Sequence, residues 1–209
     1  KIVLFANTEW YLYNFRRSLA LALRDAGHDV LLISPPGPYG LKFYDLGLTW
    51  LPIPMDRRSL HPLREAALLN YLVRLFCRER PDVVHGFTIK CAVYGSLAAR
   101  LTGIPARVSA VAGMGYVFIS NSVKARILRP VVRILLKIAL GGRNARLILQ
   151  NPDDVALFER ARLVDPAQVR LILGSGVDTT RFAPDADSIS GGRMRVLLPA
   201  RLLWDKGLA

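Results

Sequence analysis

Residues Arg80–Gly103 read RPDVVHGFTIKCAVYGSLAARLTG, and the periodicity changes once along them. Asp82–Gly86 is a short, mostly apolar run of the kind a buried strand needs. Lys90–Thr102 follows with helical spacing and stops at Gly103. The same order recurs on both sides. Upstream, Lys1–Ala6 (KIVLFA) predicts a strand and Tyr13–Ala26 a helix closed by Gly27. Asp29–Ser34 predicts a strand ended by Pro35-Pro36-Gly37, Thr49–Ile53 a short strand, and Pro62–Arg80 a long helix. Downstream come a strand at Ala106–Ala110, a loop over Val111–Ser122, a basic helix over Val123–Leu140 and a strand at Arg146–Gln150. Asn151 is placed to cap a helix over Pro152–Arg160, with Pro152 at its first position, and Val169–Leu173 is a seventh strand. This alternation predicts an α/β fold: a Rossmann-like parallel sheet with helices on both faces. Ligands bind such sheets at the carboxyl ends of the strands. Asn7, His85, the Gly113–Tyr116 loop and Asn151 fall there.

Composition narrows the class of protein. The chain has 209 residues, 52% of them apolar, enough for one full core and a short remainder. No window approaches the roughly 18 uncharged apolar residues that a membrane-spanning helix needs. Lys1–Ala6 gives way to polar residues too soon for a signal peptide, and since Lys1 comes first, an initiator Met is expected to have been removed or left out. Cys77 and Cys91 lie without motif spacing, and His28, His61 and His85 are scattered. The cysteines predict neither a disulfide framework nor a metal site and suit a reducing cytoplasm, and the histidines form no ligand set. The net charge of +13 predicts an anionic partner: nucleic acid, anionic lipid or a phosphorylated substrate.

After the seventh strand the pattern breaks. Gly174–Arg193 holds four glycines, a proline and several Ser and Asp residues, and reads as a linker. Met194–Pro199 (MRVLLP) then reads as a strand, followed by ARLLWDKG. The expected organisation is residues 1–173 as one domain, 174–193 as linker and 194–209 as the start of a second domain.

Six segments together resemble family 4 of the retaining glycosyltransferases, in the branch that builds bacterial surface polysaccharides on a polyprenyl-diphosphate carrier. They are Asn7–Arg17 (NTEWYLYNFRR), Arg80–Lys90 (RPDVVHGFTIK), Ala112–Phe118 (AGMGYVF), Leu149–Asp154 (LQNPDD), Gly174–Pro184 (GSGVDTTRFAP) and Pro199–Gly207 (PARLLWDKG). The resemblance implies the amino-terminal half of a glycosyltransferase-B fold, in which two Rossmann-like domains face across a cleft. The first would hold the acceptor and the second the sugar nucleotide. It implies transfer with retention from a nucleotide-diphosphate donor to a lipid-linked saccharide, for lipopolysaccharide or capsule. No metal or cofactor beyond the donor is implied. The 209 residues end before a donor domain would be complete, so the chain alone is expected to be inactive.

On this resemblance Arg201 and Lys206 bind the donor diphosphate and stabilise it as leaving group, which is electrostatic catalysis at developing negative charge. From spacing alone they read equally as a solvated pair beside a strand end. Ala200 stands where the family has glycine. His85 is placed near the reacting sugar as a hydrogen-bonding catalytic group rather than a general base; its other reading is a core histidine. Asn7, Thr8 and Glu9 occupy the first strand-to-helix turn. They lack the family's glycine pair, and read either as acceptor contacts or as helix capping. Thr88, Lys90, Gly113, Gly115 and Tyr116 complete the acceptor side, with Lys90 meeting an acceptor phosphate or facing solvent. Gly113 and Gly115 do not make a dinucleotide fingerprint, because the third glycine and the following acid are missing. Trp10, Tyr11 and Tyr13 stack on a sugar, face lipid or fill the core.

Arg126, Arg129, Arg133 and Lys137 recur at helical spacing, with Ile127, Val131, Ile134, Leu135 and Ile138 between them. Such a helix suits the anionic inner face of the cytoplasmic membrane, where a polyprenyl-diphosphate acceptor resides; a solvated basic face is the plainer reading. The expected partners are a sugar nucleotide, the lipid-linked saccharide and that membrane. A nucleotide-sugar epimerase of the same double fold is the alternative. Nucleic-acid binding is disfavoured, because no nucleic-acid module is visible.

Overall fold

The structure, a computed structural model, describes residues 1–59, 61–111, 123–180 and 182–183, and for residues 123–129, 131 and 132 the backbone alone. Seven strands form one sheet: β1 Ile2–Phe5, β2 Val30–Ser34, β3 Thr49–Pro52, β4 Val83–Phe87, β5 Ala106–Val111, β6 Ala145–Leu149 and β7 Val169–Leu171. Every pairing is parallel, in the order β3-β2-β1-β4-β5-β6-β7. The helices are α1 Glu9–Tyr11, α2 Arg17–Asp25, α3 Pro62–Glu79, α4 Ile89–Leu101, α5 Val123–Leu140 and α6 Pro152–Arg160. The expected α/β architecture is what forms. Asn151 caps α6 as its sequence suggests, its Oδ1 accepting from Asp154 N at 2.7 Å.

The apolar runs are buried because both sheet faces are covered. One face carries Leu4, Ala6, Leu32, Phe87 and Ala110, packed under Leu12, Ala20 and Phe43. The opposite face carries Val3, Phe5, Leu31, Ile33 and Val84 against α3 and α4. Further along that face, Leu147 and Leu149 meet Leu136, Ala139 and Leu140 of α5 and Phe158 of α6. Each buried Leu or Phe side chain contributes about 1.5–3 kcal/mol.

Two local features depart from simple periodicity. Between α1 and α2, Leu12–Arg16 form a π-helical turn, and Arg16 leaves helical geometry at φ −127°, ψ 0°. The second is the buried Arg107, which lies in β5 and is only 7% exposed. Its guanidinium donates to Ala139 O at 3.5 Å and Gly141 O at 3.1 Å, while Arg100 donates to Ile138 O at 2.6 Å. Two cations therefore satisfy the carbonyls at the carboxyl end of α5, where the helix dipole is negative.

No described helix is long and apolar enough to cross a membrane. The chain divides into two compact units, Lys1–Gly176 and Val177–Ala209. In the second, Asp178 Oδ1 accepts from Thr180 N at 3.1 Å and Thr180 Oγ1 at 2.6 Å. The strand expected at Met194–Pro199 lies outside the described residues, as does most of the expected 174–193 linker.

Gly86 sets the seam between β4 and α4. A Cβ there would sit 2.7 Å from Cys91 O and 2.8 Å from Ala92 Cα, both backbone atoms that cannot turn aside. Gly86→Ala is expected to destabilise the protein by about 3 kcal/mol, as overpacking of a rigid contact does. A urea titration will measure the loss.

Candidate functional site

Strand order reverses between β1 and β4. The chain leaving β1 passes to helices on one face, and the chain leaving β4 passes to α4 on the other. The crevice beyond the carboxyl ends of these two strands is the place where open parallel sheets bind ligands. Asn7–Glu9 and Phe87–Thr88 are its rims.

His85 lies in register with Leu4 of β1 and Val108 of β5. Its ring stands 4.1 Å from the Phe87 ring, tilted by 37°. The residue is only partly exposed, and Nε2 is sealed from water with no hydrogen-bond partner among the described residues. Burial, then the nearby Arg16 charge, pulls its pKa down to about 3. The imidazole is thus neutral at physiological pH, a hydrogen-bonding group rather than a proton reservoir.

Arg16 is the second polar group at this place. Its guanidinium lies 4.6 Å from the Phe87 ring centre and 5.4 Å from that of Tyr11, and Nη2 donates to Tyr11 Oη at 2.9 Å. Nε is buried without a partner, and no described carboxylate pairs with this cation. Tyr11 and Arg16 are five residues apart. They meet because the turn between them is π-helical; a search at the α-helical period puts them on different faces.

The rim residues divide. Thr8 caps α1, its Oγ1 accepting from Tyr11 N at 3.1 Å. Glu9 is buried, and its carboxylate fills the notch at Gly37, where any side chain would collide with it. Capping and packing therefore account for these two, and Asn7 alone of the three stays partly exposed without such a duty. Trp10 is 46% exposed and packs edge-on against Phe15 at 5.4 Å, whereas Tyr13 packs on Tyr39 and Phe43.

Thr88 holds φ 71°, a left-handed backbone that costs a β-branched residue free energy. Its N–H donates to Ala110 O and its carbonyl accepts from Ala92 N. Its Oγ1 is buried with no partner beyond the weak thiol of Cys91. Burial pushes that thiol up to about 12, so it is no nucleophile. Lys90 requires a correction. Its ammonium neither faces solvent nor waits for a phosphate: it donates to Asp56 O at 2.7 Å, Ser59 O at 3.0 Å and Glu65 Oε1 at 2.7 Å. All three protons are used in tying the 56–59 loop to α3 and α4.

Arg133 and Lys137 are exposed on α5, beside Ile134 (60% exposed), Leu135 and Ile138. Arg160 and Arg162 share a shallow depression with them. The side chains of Arg126 and Arg129 lie outside the described residues. So do Gly113, Gly115, Tyr116, Arg201 and Lys206.

A family model described as "Glycosyl transferase 4-like" matches residues 1–151. The chain belongs to the glycosyl transferase 4-like family. Two curated relatives agree. The N,N'-diacetylbacillosaminyl-diphospho-undecaprenol alpha-1,3-N-acetylgalactosaminyltransferase of Campylobacter jejuni is 26% identical over 208 residues, 94% of this chain and 55% of its own length. The UDP-Gal:alpha-D-GlcNAc-diphosphoundecaprenol alpha-1,3-galactosyltransferase of Escherichia coli is 30% identical over 132 residues, 63% of this chain and 33% of its own. The chain thus spans about half, or less, of these relatives. Among solved structures, a glycosyltransferase from Rickettsia africae superposes with a TM-score of 0.61 at 16% identity, over 90% of this chain and 47% of that one. A UDP-GlcNAc 2-epimerase from Methanocaldococcus jannaschii superposes at 0.58 and 16%, over 82% and 45%. Members of this fold thus include both transferases and epimerases, and the likeness of coordinates speaks for the fold alone.

His85 makes a pH signature. Below about pH 6.5 an unfolded chain takes up a proton that the folded imidazole refuses until about pH 3. This group's share of stability is therefore present above pH 6.5 and falls as pH drops through that window, by up to about 1.4 kcal/mol per pH unit. Imidazole NMR is expected to show no titration of His85 between pH 5 and 8. His85→Gln is expected to flatten the acid side of the stability profile measured by chemical denaturation.

Proposed function

We propose that the protein is the acceptor-side part of a retaining glycosyltransferase. It moves a hexose or N-acetylhexosamine from a nucleotide diphosphate to a saccharide on a polyprenyl-diphosphate carrier, for cell-surface polysaccharide synthesis. The observation that carries this reading is the family match, joined by two relatives whose names both specify an undecaprenol-diphosphate-linked substrate. The same relatives favour transfer over epimerisation, between which fold does not choose.

In this reading residues 1–173 form the acceptor domain, 174–193 the linker and 194–209 the entry to the donor domain. Asn7, Thr88, Gly113, Gly115 and Tyr116 border the acceptor. Arg201 and Lys206 hold the donor diphosphate. The bond from the sugar's anomeric carbon to the diphosphate breaks, and the acceptor hydroxyl oxygen bonds to that carbon from the same face. Its proton passes to the departing phosphate. The two cations stabilise the charge left there, and neutral His85 hydrogen-bonds a sugar hydroxyl. The basic and apolar surface of α5 rests on the anionic inner face of the cytoplasmic membrane, where the lipid carrier is met. The exposure of Arg133, Ile134, Lys137 and Ile138 supports that placement.

The full-length enzyme, supplied with a panel of labelled sugar nucleotides and a membrane lipid extract, is expected to label the lipid fraction. Release of a free sugar isomer without lipid labelling would establish epimerisation instead. Arg201→Ala or Lys206→Ala is expected to lower kcat by about 10²–10³. For the membrane, sedimentation with vesicles of phosphatidylglycerol and phosphatidylethanolamine is the measure. Arg133→Glu combined with Lys137→Glu is expected to weaken binding by about tenfold or more, at roughly 1 kcal/mol per charge; equal sedimentation of the double variant would remove α5 from the membrane.

A further inference from the structure

Among the described residues, four buried side-chain polar atoms lack a hydrogen-bond partner. Two of them, Arg16 Nε and His85 Nε2, belong to side chains that meet on the Phe87 ring; Thr88 Oγ1 has the Cys91 thiol beside it, and Gln168 Oε1 lies beside β7. Unsatisfied polar atoms are costly, so two at one place call for a ligand. We propose that Arg16 and His85 form a single subsite for a sugar phosphate, in which Arg16 holds a phosphate oxygen and His85 a hydroxyl of the attached sugar. The choice of a sugar phosphate rests on the transferase reading.

The chemistry follows from the two side chains. Arg16 is a cation that no described carboxylate neutralises, and a guanidinium matches phosphate oxygens with paired N–H groups. His85 is neutral, so it exchanges a hydrogen bond with a hydroxyl without competing for the anion. Phe87 touches both groups, its ring centre 4.1 Å from that of His85 and 4.6 Å from the Arg16 guanidinium carbon. The π-helical turn at Leu12–Arg16 is what delivers Arg16 to this spot, and such turns gather at functional sites. Trp10 and Phe15, both more than 40% exposed, extend from Tyr11 as an aromatic wall on which a sugar ring can stack. Binding requires the guanidinium to lift from Phe87, which exchanges a cation–π contact for stronger charge-assisted hydrogen bonds.

The donor and the acceptor both contain a sugar on a phosphate, so the experiment separates them. Full-length protein is titrated calorimetrically with a panel of hexose and N-acetylhexosamine 1-phosphates. UDP-galactose then serves as the donor-like probe, and farnesyl-diphosphate-linked N-acetylglucosamine as the acceptor-like one. Arg16→Ala is expected to weaken the best-binding 1-phosphate by about tenfold or more, with partial rescue by Arg16→Lys and no change for the uncharged methyl glycoside. Whichever larger probe loses affinity in parallel names the source. A smaller loss for every phosphate, or no binding of any to the wild type, overturns the proposal. In the wild-type protein, the Arg16 Nε and His85 imidazole resonances are expected to move together when the 1-phosphate is added. Movement of neither overturns the proposal as well, whatever the folding of the variants. The outcomes stay distinct: sugar transfer by an Arg16→Ala enzyme with undiminished phosphate binding sinks the subsite alone, whereas probe binding without transfer sinks the transferase reading alone.

Discussion

The parallel hydrogen-bonded ladder between β1 and β4 is the constraint on which the site depends. It places Leu4 beside His85 and reverses the direction in which strands are added. Because the connections on its two sides go to opposite faces, a crevice opens where they part. Tight packing below keeps it in place: Gly86 admits no side chain against the backbone of α4, and Phe5 and Val84 lie under the sheet without exposure to water. The position of His85 is thus a property of the whole sheet rather than of its loop.

Electrostatics at the crevice follow from burial. A histidine beside an arginine in a partly dry environment stays neutral, because burial and the neighbouring positive charge both disfavour the imidazolium form. Four other cations among the described residues are already engaged within the fold. Lys90 is consumed by loop anchoring, Arg100 and Arg107 by the carbonyls of α5, and Lys1 by Glu79 and Asp29. Formal charge therefore overstates how much of this basic protein is free to attract an anion, and location matters more than number.

The sheet was legible because parallel strands buried on both faces leave continuous apolar runs, as in Val30–Ser34 and Val83–Phe87, and because Gly27, Gly103 and the Asn151-Pro152 pair punctuate the helices. His85 was legible too, as a polar residue inside such a run. Arg16 was not. Its partners lie five residues back along the chain and across the sheet, and neither spacing belongs to an α-helix or a strand. The roles of Thr8, Glu9 and Lys90 were ambiguous for a different reason: a polar side chain at a strand end serves a ligand or the backbone equally well, and the pattern does not record which acceptors are near. The short 3-10 segment at Leu41–Leu46 left no signal because two such turns are too few to establish a period.

The wide turn at Leu12–Arg16 has an effect on how this stretch can change. A π turn holds one more residue than the α turn it replaces, so removing any one residue there would let the helix close up regularly. Where the residue lost is one of 13–15, Tyr11 and Arg16 would then stand four apart, still neighbours on one helix face, and the segments on either side would keep their phase. What the extra residue supplies is the break from helical geometry at Arg16, φ −127° and ψ 0°. A shortened chain would keep its core and the pair, but would set the guanidinium on regular helical backbone.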